Sequence, residues 1–371
     1  MFTLFTGILL LTLLAACGSA NNGGNTGSNG GSNGTANKGK GCTHVGILLP
    51  ETASSARWDG VDRPGLIKQI QAVTGVAPDY ANAGGNQDTQ QTQAEADLTK
   101  GDCILVVAAN DGVKAAAIVA AAKAQGVPVI AYDRLIQSND LNFYVSFDNV
   151  QVGKLQGQYI ADHYKSFVTP GHNNTVMING AQTDNNALLF NQGAMSVLTP
   201  LYSNGTLKKV YDQFTPNWDN ATAQTEMEGA LTANKNDIQI AYVANDGMAN
   251  NVIAALKAQH LAGKVLVTGQ DATVAGIQNI LLGYQSMTVY KAISKEVQAT
   301  ADLVKAISQG TDTTSLTNGQ VKTQGGAEIP STLETPVSVD KTNIASTVIA
   351  DGFVTKDQVC QGVPPGTDGV C

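Results

Sequence analysis

Ten residues of this 371-residue chain combine into one chemistry: Arg57, Trp58, Asp133, Arg134, Asp184, Asn186, Trp218, Asn245, Asp271 and Lys291. Each stands just after a short apolar run. Carboxylates supply acceptors, Arg and Lys supply donors, and Asn supplies both. A hydroxyl is donor and acceptor at once, so a ring of such groups satisfies a small polyhydroxylated ligand, with charge-assisted bonds giving most of the polar discrimination. The chain's only two Trp fall one in each half, and an indole face suits the C–H face of a sugar ring.

Each of these residues also has a structural reading. Asp148, Asp184, Asp246 and Asp271 precede helical segments, where a carboxylate caps free N–H groups; for Asp148 and Asp246 capping is the expected role. Asn186 lies inside a helix start, where Asn gains little structurally. Arg134 as a surface ion-pair partner, Lys291 as a solvated helix start and the two Trp as packing residues are the alternatives taken singly. Their joint occurrence favours a site.

The elements that must position them follow from periodicity. Val- and Ile-rich runs alternate with helical segments from Thr43 onward, the pattern of βαβ units around parallel sheets. The first set of expected strands is His44 to Leu49, Pro78 to Ala81, Ile104 to Ala108, Val127 to Tyr132 and Phe143 to Phe147. The second is Thr175 to Asn179, Lys208 to Phe214, Ile238 to Ala244, Val265 to Gly269 and Met287 to Tyr290. Gly65 to Val73, Val113 to Ala124 and Val252 to Ala258 carry helix formers. Ile104 through Arg134 and Ile238 through Asp271 form a near-repeat of strand, Asn-Asp-Gly turn, Ala-rich helix, Lys-Ala-Gln, strand and Asp. The fold class is α/β: two doubly wound, Rossmann-like lobes whose strand-end loops face one another across a cleft.

Composition sets limits. With 43% hydrophobic and 14% charged residues the chain is globular, and a net charge of -8 without any basic run excludes nucleic acid as a partner. The one long apolar run, Ile8 to Ala16, is too short to span a bilayer and sits where a signal-peptide core sits. It ends in Leu14, Ala15, Ala16, Cys17 and Gly18, which resembles a bacterial lipobox, so residues 1–17 read as a lipoprotein leader with Cys17 as the lipidated residue. No Lys or Arg precedes the run, which points to a start upstream of Met1. Residues 18–41, almost wholly Gly, Asn, Ser and Thr, read as a flexible tether. Export permits disulfides, and neighbouring strands place Cys42 with Cys103; Cys360 pairs with Cys371.

Several motifs are specific: ARWD at Ala56 to Asp59, AYDRLI at Ala131 to Ile136, FYVSFDN at Phe143 to Asn149, DNNALLF at Asp184 to Phe190, ALTANKNDI at Ala230 to Ile238, GQDA at Gly269 to Ala272 and MTVYK at Met287 to Lys291. Through them the chain resembles the sugar-binding members of the type I periplasmic binding protein family, nearest its xylose-binding members, from Val45 to about Phe353. The resemblance implies that Arg57, Asp133 and Arg134 bind sugar hydroxyls from the first lobe. It assigns Asp184, Asn186, Asn245, Asp271 and Lys291 to the second lobe and hinge, with Trp58 and Trp218 stacking on the ring. It also implies three hinge crossings, placed near Asn149, Lys291 and Pro336. The lobes are then residues 42–149 plus 291–335 and residues 150–290 plus 336–355, with a Cys-bearing tail at 356–371. Thr215 to Asn220 (TPNWDN) departs from the family pattern around Trp218, and the tail and tether lie outside it.

The expected ligand is a monosaccharide, D-xylose first; the alternative is a binding protein for glucose, galactose or arabinose with a role in chemotaxis or sensing. The expected partners are ABC permease subunits and, through Cys17, the membrane; the protein is expected to be an extracytoplasmic monomer without cofactor or metal. A sugar-processing enzyme is the competing class. Four His without metal-ligand spacing, no Gly-rich phosphate loop and no nucleophile elbow argue against it. A sugar-responsive transcription regulator of similar core fold needs a basic helix-turn-helix where this chain has a lipid signal.

Overall fold

The structure, a computed structural model, describes residues 39–371. Cys17, the leader and the tether up to residue 38 lie outside the described residues. In chain order the first elements are β1 (Val45–Leu49), α1 (Arg63–Thr74), β2 (Asp79–Asn82), α2 (Gln87–Lys100), β3 (Ile104–Val107), α3 (Ala116–Ala124), β4 (Val129–Tyr132) and β5 (Phe143–Phe147). Then come α4 (Asn149–His163), β6 (Asn174–Asn179), α5 (Asn185–Ser203), β7 (Lys208–Phe214), α6 (Asn220–Ala233), β8 (Ile240–Val243), α7 (Asp246–Ala258), β9 (Leu266–Val267), α8 (Val274–Leu281) and β10 (Thr288–Tyr290). The chain ends with α9 (Ile293–Gln309), β11 (Gly319–Lys322), β12 (Glu328–Glu334), β13 (Val337–Val339) and α10 (Lys356–Cys360).

The apolar strands are buried on both faces, as a helix-covered parallel sheet requires. Val45, Ile47 and Leu49 of β1 join one core with Ile104 and Val106 of β3, while Leu48, Leu105 and Val107 join the core on the other face. The first sheet runs β11-β12-β5-β4-β3-β1-β2, parallel except for β11, and the second runs β7-β6-β8-β9, all parallel. In both, the first strand lies between the second and third. That reversal of strand order opens a crevice at the carboxyl ends.

The chain passes between lobes after β5, where Asn149 starts α4; after β10, where Lys291 precedes α9; and at Pro336, between β12 and β13. Helices α4 and α5 pack with unusual intimacy. A Cβ on Gly153 would stand 1.9 Å from the Phe190 carbonyl oxygen, and one on Gly193 would stand 2.1 Å from that of Val150. Only hydrogen fits at either place. The approach brings the helix starts together, and Asn149 Nδ2 donates to Asn186 Oδ1 at 2.8 Å.

Cys42 is bonded to Cys103 with 5.6 Å between Cα atoms, at the amino ends of the paired strands β1 and β3. Cys360 is bonded to Cys371, and the tail is not a loose appendage: Val359, Val363 and Val370 pack with Ile277, Ile280 and Tyr290. Among the described residues no helix is long and apolar enough to cross a membrane.

Two expectations about strands need correction. The segment Met287 to Tyr290 does not extend the second sheet as a regular strand; β10 pairs antiparallel with β13, although Val289 N–H reaches the Gly269 carbonyl and Asp271 N–H the Val289 carbonyl. The left-handed backbone at Asp271 (φ 105°) and Ala272 (φ 50°) interrupts the ladder there. Secondly, β11, β12 and β13 were not anticipated. Their sequences mix polar residues and a proline with few apolar ones, so they lack the Val/Ile runs of the central strands.

Candidate functional site

All ten strand-end residues line one cavity between the lobes. It holds about 30 Å³ of free space, and Ser54, Ser55, Phe190 and Gln270 complete its wall. Arg57 and Trp58 come from the turn after β1, Asp133 and Arg134 from the end of β4, and Asp184 and Asn186 from the start of α5. Trp218 lies in a short helical turn after β7, Asn245 precedes α7, Asp271 follows β9 and Lys291 follows β10.

Asp133 is the hub. Its Oδ2 accepts from Arg57 Nη1 at 2.8 Å and from Lys291 Nζ at 3.1 Å, and its Oδ1 accepts from Asn186 Nδ2 at 3.1 Å. Burial pushes this carboxyl up, but Arg57, Lys291 and Arg134 outweigh that and hold it well below the usual carboxylate range. Asp133 is therefore ionised at any ordinary pH.

Arg57 is gripped from behind. Its Nε and Nη2 donate to the two oxygens of Asp62 at 2.9 and 2.6 Å, and Nη2 also donates to Glu296 Oε2 at 2.9 Å. Asp62 in turn accepts from the Tyr132 hydroxyl at 2.6 Å. Burial and the nearby Asp133 charge push Glu296 well above its ordinary range. A planar guanidinium held on two edges presents its remaining nitrogen in a fixed direction.

The second lobe supplies matching groups. Arg134 Nε lies 3.1 Å from Asp184 Oδ2, and Trp218 Nε1 donates to the same oxygen at 3.2 Å. Burial raises Asp184 and Asp271 despite the cations beside them. Ser55 Oγ donates to Asp271 Oδ2 at 2.8 Å and Asn245 Nδ2 to the Ser54 carbonyl at 3.3 Å, so polar contacts bridge the cleft.

The indoles come from different lobes. Arg57 and Arg134 lie 4.7 and 5.2 Å from the Trp58 ring centroid, within cation–π range. Trp218 meets Phe190 edge to face at 6.3 Å and lies over Gly180, where any Cβ would clash with the ring at 2.1 Å. The backbone is left-handed at Asp133 (φ 58°), Trp218 (φ 55°) and Asp271 (φ 105°). Non-glycine residues adopt it at some cost, and such strain gathers at functional sites.

The expected capping roles divide. Asp148 caps α4, accepting from Gln151 N–H at 2.9 Å, and Asp184 caps α5 through Asn186 N–H. Asp246 does not cap α7. Asn245 does so, accepting from Met248 N–H at 2.9 Å, while Asp246 turns inward to Gln285, Thr288 and Thr273. Burial pushes Asp246 up to about 7. Asp62 and Glu296 were missed altogether. Glu296 has a legible signal, because it shares a helical face with Ile293, Val297, Thr300 and Val304, a spacing that buries it. Phe190 and Gln270 stand inside quoted motifs, Gln270 beside Asp271 and Phe190 one helical turn beyond Asn186.

The family model for the periplasmic binding protein domain matches residues 45–312. The chain belongs to the periplasmic binding protein family. This binding protein is 39% identical over 300 residues to the D-xylose-binding periplasmic protein of Escherichia coli K12, covering 80% of this chain and 87% of that one. It is 36% identical over 328 residues to the multiple sugar-binding periplasmic receptor of Rhizobium radiobacter, covering 85% and 92%. Among solved structures it resembles an ABC transporter solute binding protein from Clostridium phytofermentans with bound β-D-glucose: TM-score 0.77, 31% identity, 85% of this chain and 99% of that one. The two-lobed type I fold is common to them. As a member of this family the binding protein holds a solute and is not an enzyme.

Proposed function

We propose that the protein is the extracytoplasmic sugar-binding component of an ABC importer, and that D-xylose, held between the lobes by hinge closure, is its preferred ligand. One observation carries the reading: ten residues from seven separate loops converge on one cavity as a ring of fixed donors and acceptors between two indoles. Arg57, Asp133, Arg134 and Lys291 meet hydroxyls with charge-assisted bonds, Asp184, Asn186, Asn245 and Asp271 complete the set, and Trp58 and Trp218 flank the ring. The names of the similar proteins, which bind D-xylose, several sugars or glucose, support a monosaccharide.

The Ser55–Asp271 and Asn245–Ser54 hydrogen bonds close the cleft over a cavity whose lining residues are buried. Entry therefore requires the lobes to part, pivoting at the three crossings, and the ligand replaces some of the cross-cleft pairs on closing. Contacts made only in the closed form shift the population towards it, the hinge motion for which periplasmic binding proteins are a standard example. Lipidation at Cys17 holds the protein at the outer face of the membrane, and the closed form docks on the permease.

Calorimetric titration with a panel of pentoses and hexoses tests the ligand. D-xylose should be among the tightest, and tighter binding of glucose with little response to xylose overturns the specificity. Solution scattering with and without the bound sugar should show compaction, and an unchanged radius at saturation overturns closure.

A further inference from the structure

Far from the cleft, three carboxylates meet at the amino ends of the first sheet: Asp79 at the start of β2, Asp97 in the last turn of α2, and Asp102 just before β3. One oxygen from each lies within 4.8 Å of the others. That is about twice a calcium–oxygen bond of 2.3–2.6 Å, so a single ion can reach all three.

Like charges do not gather in this way without compensation, and here it is incomplete. Asp97 and Asp102 are each 3% exposed, and Oδ2 of each is buried without a hydrogen-bond partner. Both orphan oxygens lie against β1 and close to one another: a Cβ on Gly46 would stand 2.8 Å from Asp97 Oδ2, 2.9 Å from Leu105 Cδ2 and 3.0 Å from Asp102 Oδ2. Lys100 neutralises part of the charge, with Nζ 3.2 Å from Asp97 Oδ1 and 3.6 Å from Asp79 Oδ2. Its side chain is 57% exposed and is free to swing into solvent. Three carboxylates against one ammonium leave two negative charges. The carbonyl end of α2 adds negative potential from its dipole.

We infer that Asp79, Asp97 and Asp102 form a binding site for a hard divalent cation, calcium before magnesium, which holds α2 and β2 to the sheet remote from the sugar. All the donors are oxygens, as such ions prefer, and the half-exposed side of Asp79 leaves room for water to complete the shell. Calcium is favoured over magnesium because three carboxylates at loose separations suit its larger, flexible shell.

The test is calorimetric titration of chelator-treated protein with calcium, magnesium and manganese, together with thermal unfolding. The expected result is one calcium per chain and a rise in Tm of roughly 3–5 °C near hundredfold saturation. Asp102→Asn should lose both the heat and the rise, yet melt no lower than the wild type in chelator, because it removes a like charge. If that variant does not fold, Lys100→Ala decides: losing the competing ammonium should tighten the calcium dissociation constant several-fold. No heat with any of the three ions, a full Tm response in Asp102→Asn, or an unchanged constant in Lys100→Ala each overturns the site.

Discussion

Replacing Asp133 by Asn removes one charge from the centre of the cavity while leaving its shape. The position is left-handed, φ 58°, a conformation that Asn tolerates well, so the backbone gives no reason for a loss. Arg57 keeps Asp62 and Glu296. Lys291 does not fare as well, because its next carboxylate, Asp271, is 4.0 Å away. The Asn amide must also turn either its N–H2 towards the two cations or its oxygen away from Asn186, so one donor faces another. Breaking a buried pair from one side costs about 3–5 kcal/mol, and that is the loss expected in urea unfolding at pH 7. The sign with pH follows from the depressed carboxyl: its contribution is complete above the unfolded pKa, near 3.9, and fades as pH falls towards the lower native value. The gap between wild type and variant should therefore narrow below about pH 4. Sugar affinity should fall roughly a hundredfold, as for loss of one or two charged hydrogen bonds. A variant that unfolds at the wild-type urea concentration, with a gap independent of pH, would refute the ionised hub.

Two further outcomes rest on packing and chain connectivity. Gly153→Ala must push Phe190 away from α4, costing about 1–3 kcal/mol or more in urea unfolding and weakening the Asn149–Asn186 contact, whereas Gly60→Ala, which meets nothing within 4 Å, should be nearly silent. Removing Cys42–Cys103, which spans 61 residues, should lower stability by about 4 kcal/mol on loop entropy, and removing Cys360–Cys371, which spans 11, by about 3. Paired Cys→Ser variants compared by denaturant midpoint under non-reducing conditions check both the losses and their order.

The lining of the cavity was legible because its chemistry stands where local sequence announces it. Arg57, Asp133, Asp184, Asn245 and Asp271 each lie in the loop that follows an apolar strand, and the alternation of strand and helix places all such loops on one rim. What supports the site was less visible. Asp62 and Glu296 lie on helical segments, where a charged residue reads as solvated, and only the apolar neighbours of Glu296 betray its burial. Asn245 and Asp246 illustrate a finer limit: both are good caps, adjacent in sequence, and which one turns inward depends on Gln285 and Thr288, some forty residues away. The second sheet's edge was misread for a similar reason. The segment that pairs with β10 arrives from beyond the third crossing, too distant for local periodicity to report.

The Cys42–Cys103 bond ties β1 to β3 at the ends opposite the cleft, with Val45 beside Ile104 and Leu48 beside Val107. Slippage by one residue, which would turn Leu49 from one face to the other, is thereby blocked. The lobe is in effect a clamped frame, and two of its rim residues belong to it: Arg57 neutralises Asp62 and Glu296, and Trp58 packs in one core with Val45, Ile47 and Leu49. An engineer wishing to alter selectivity should vary residues 52–56 and leave Arg57 and Trp58 in place.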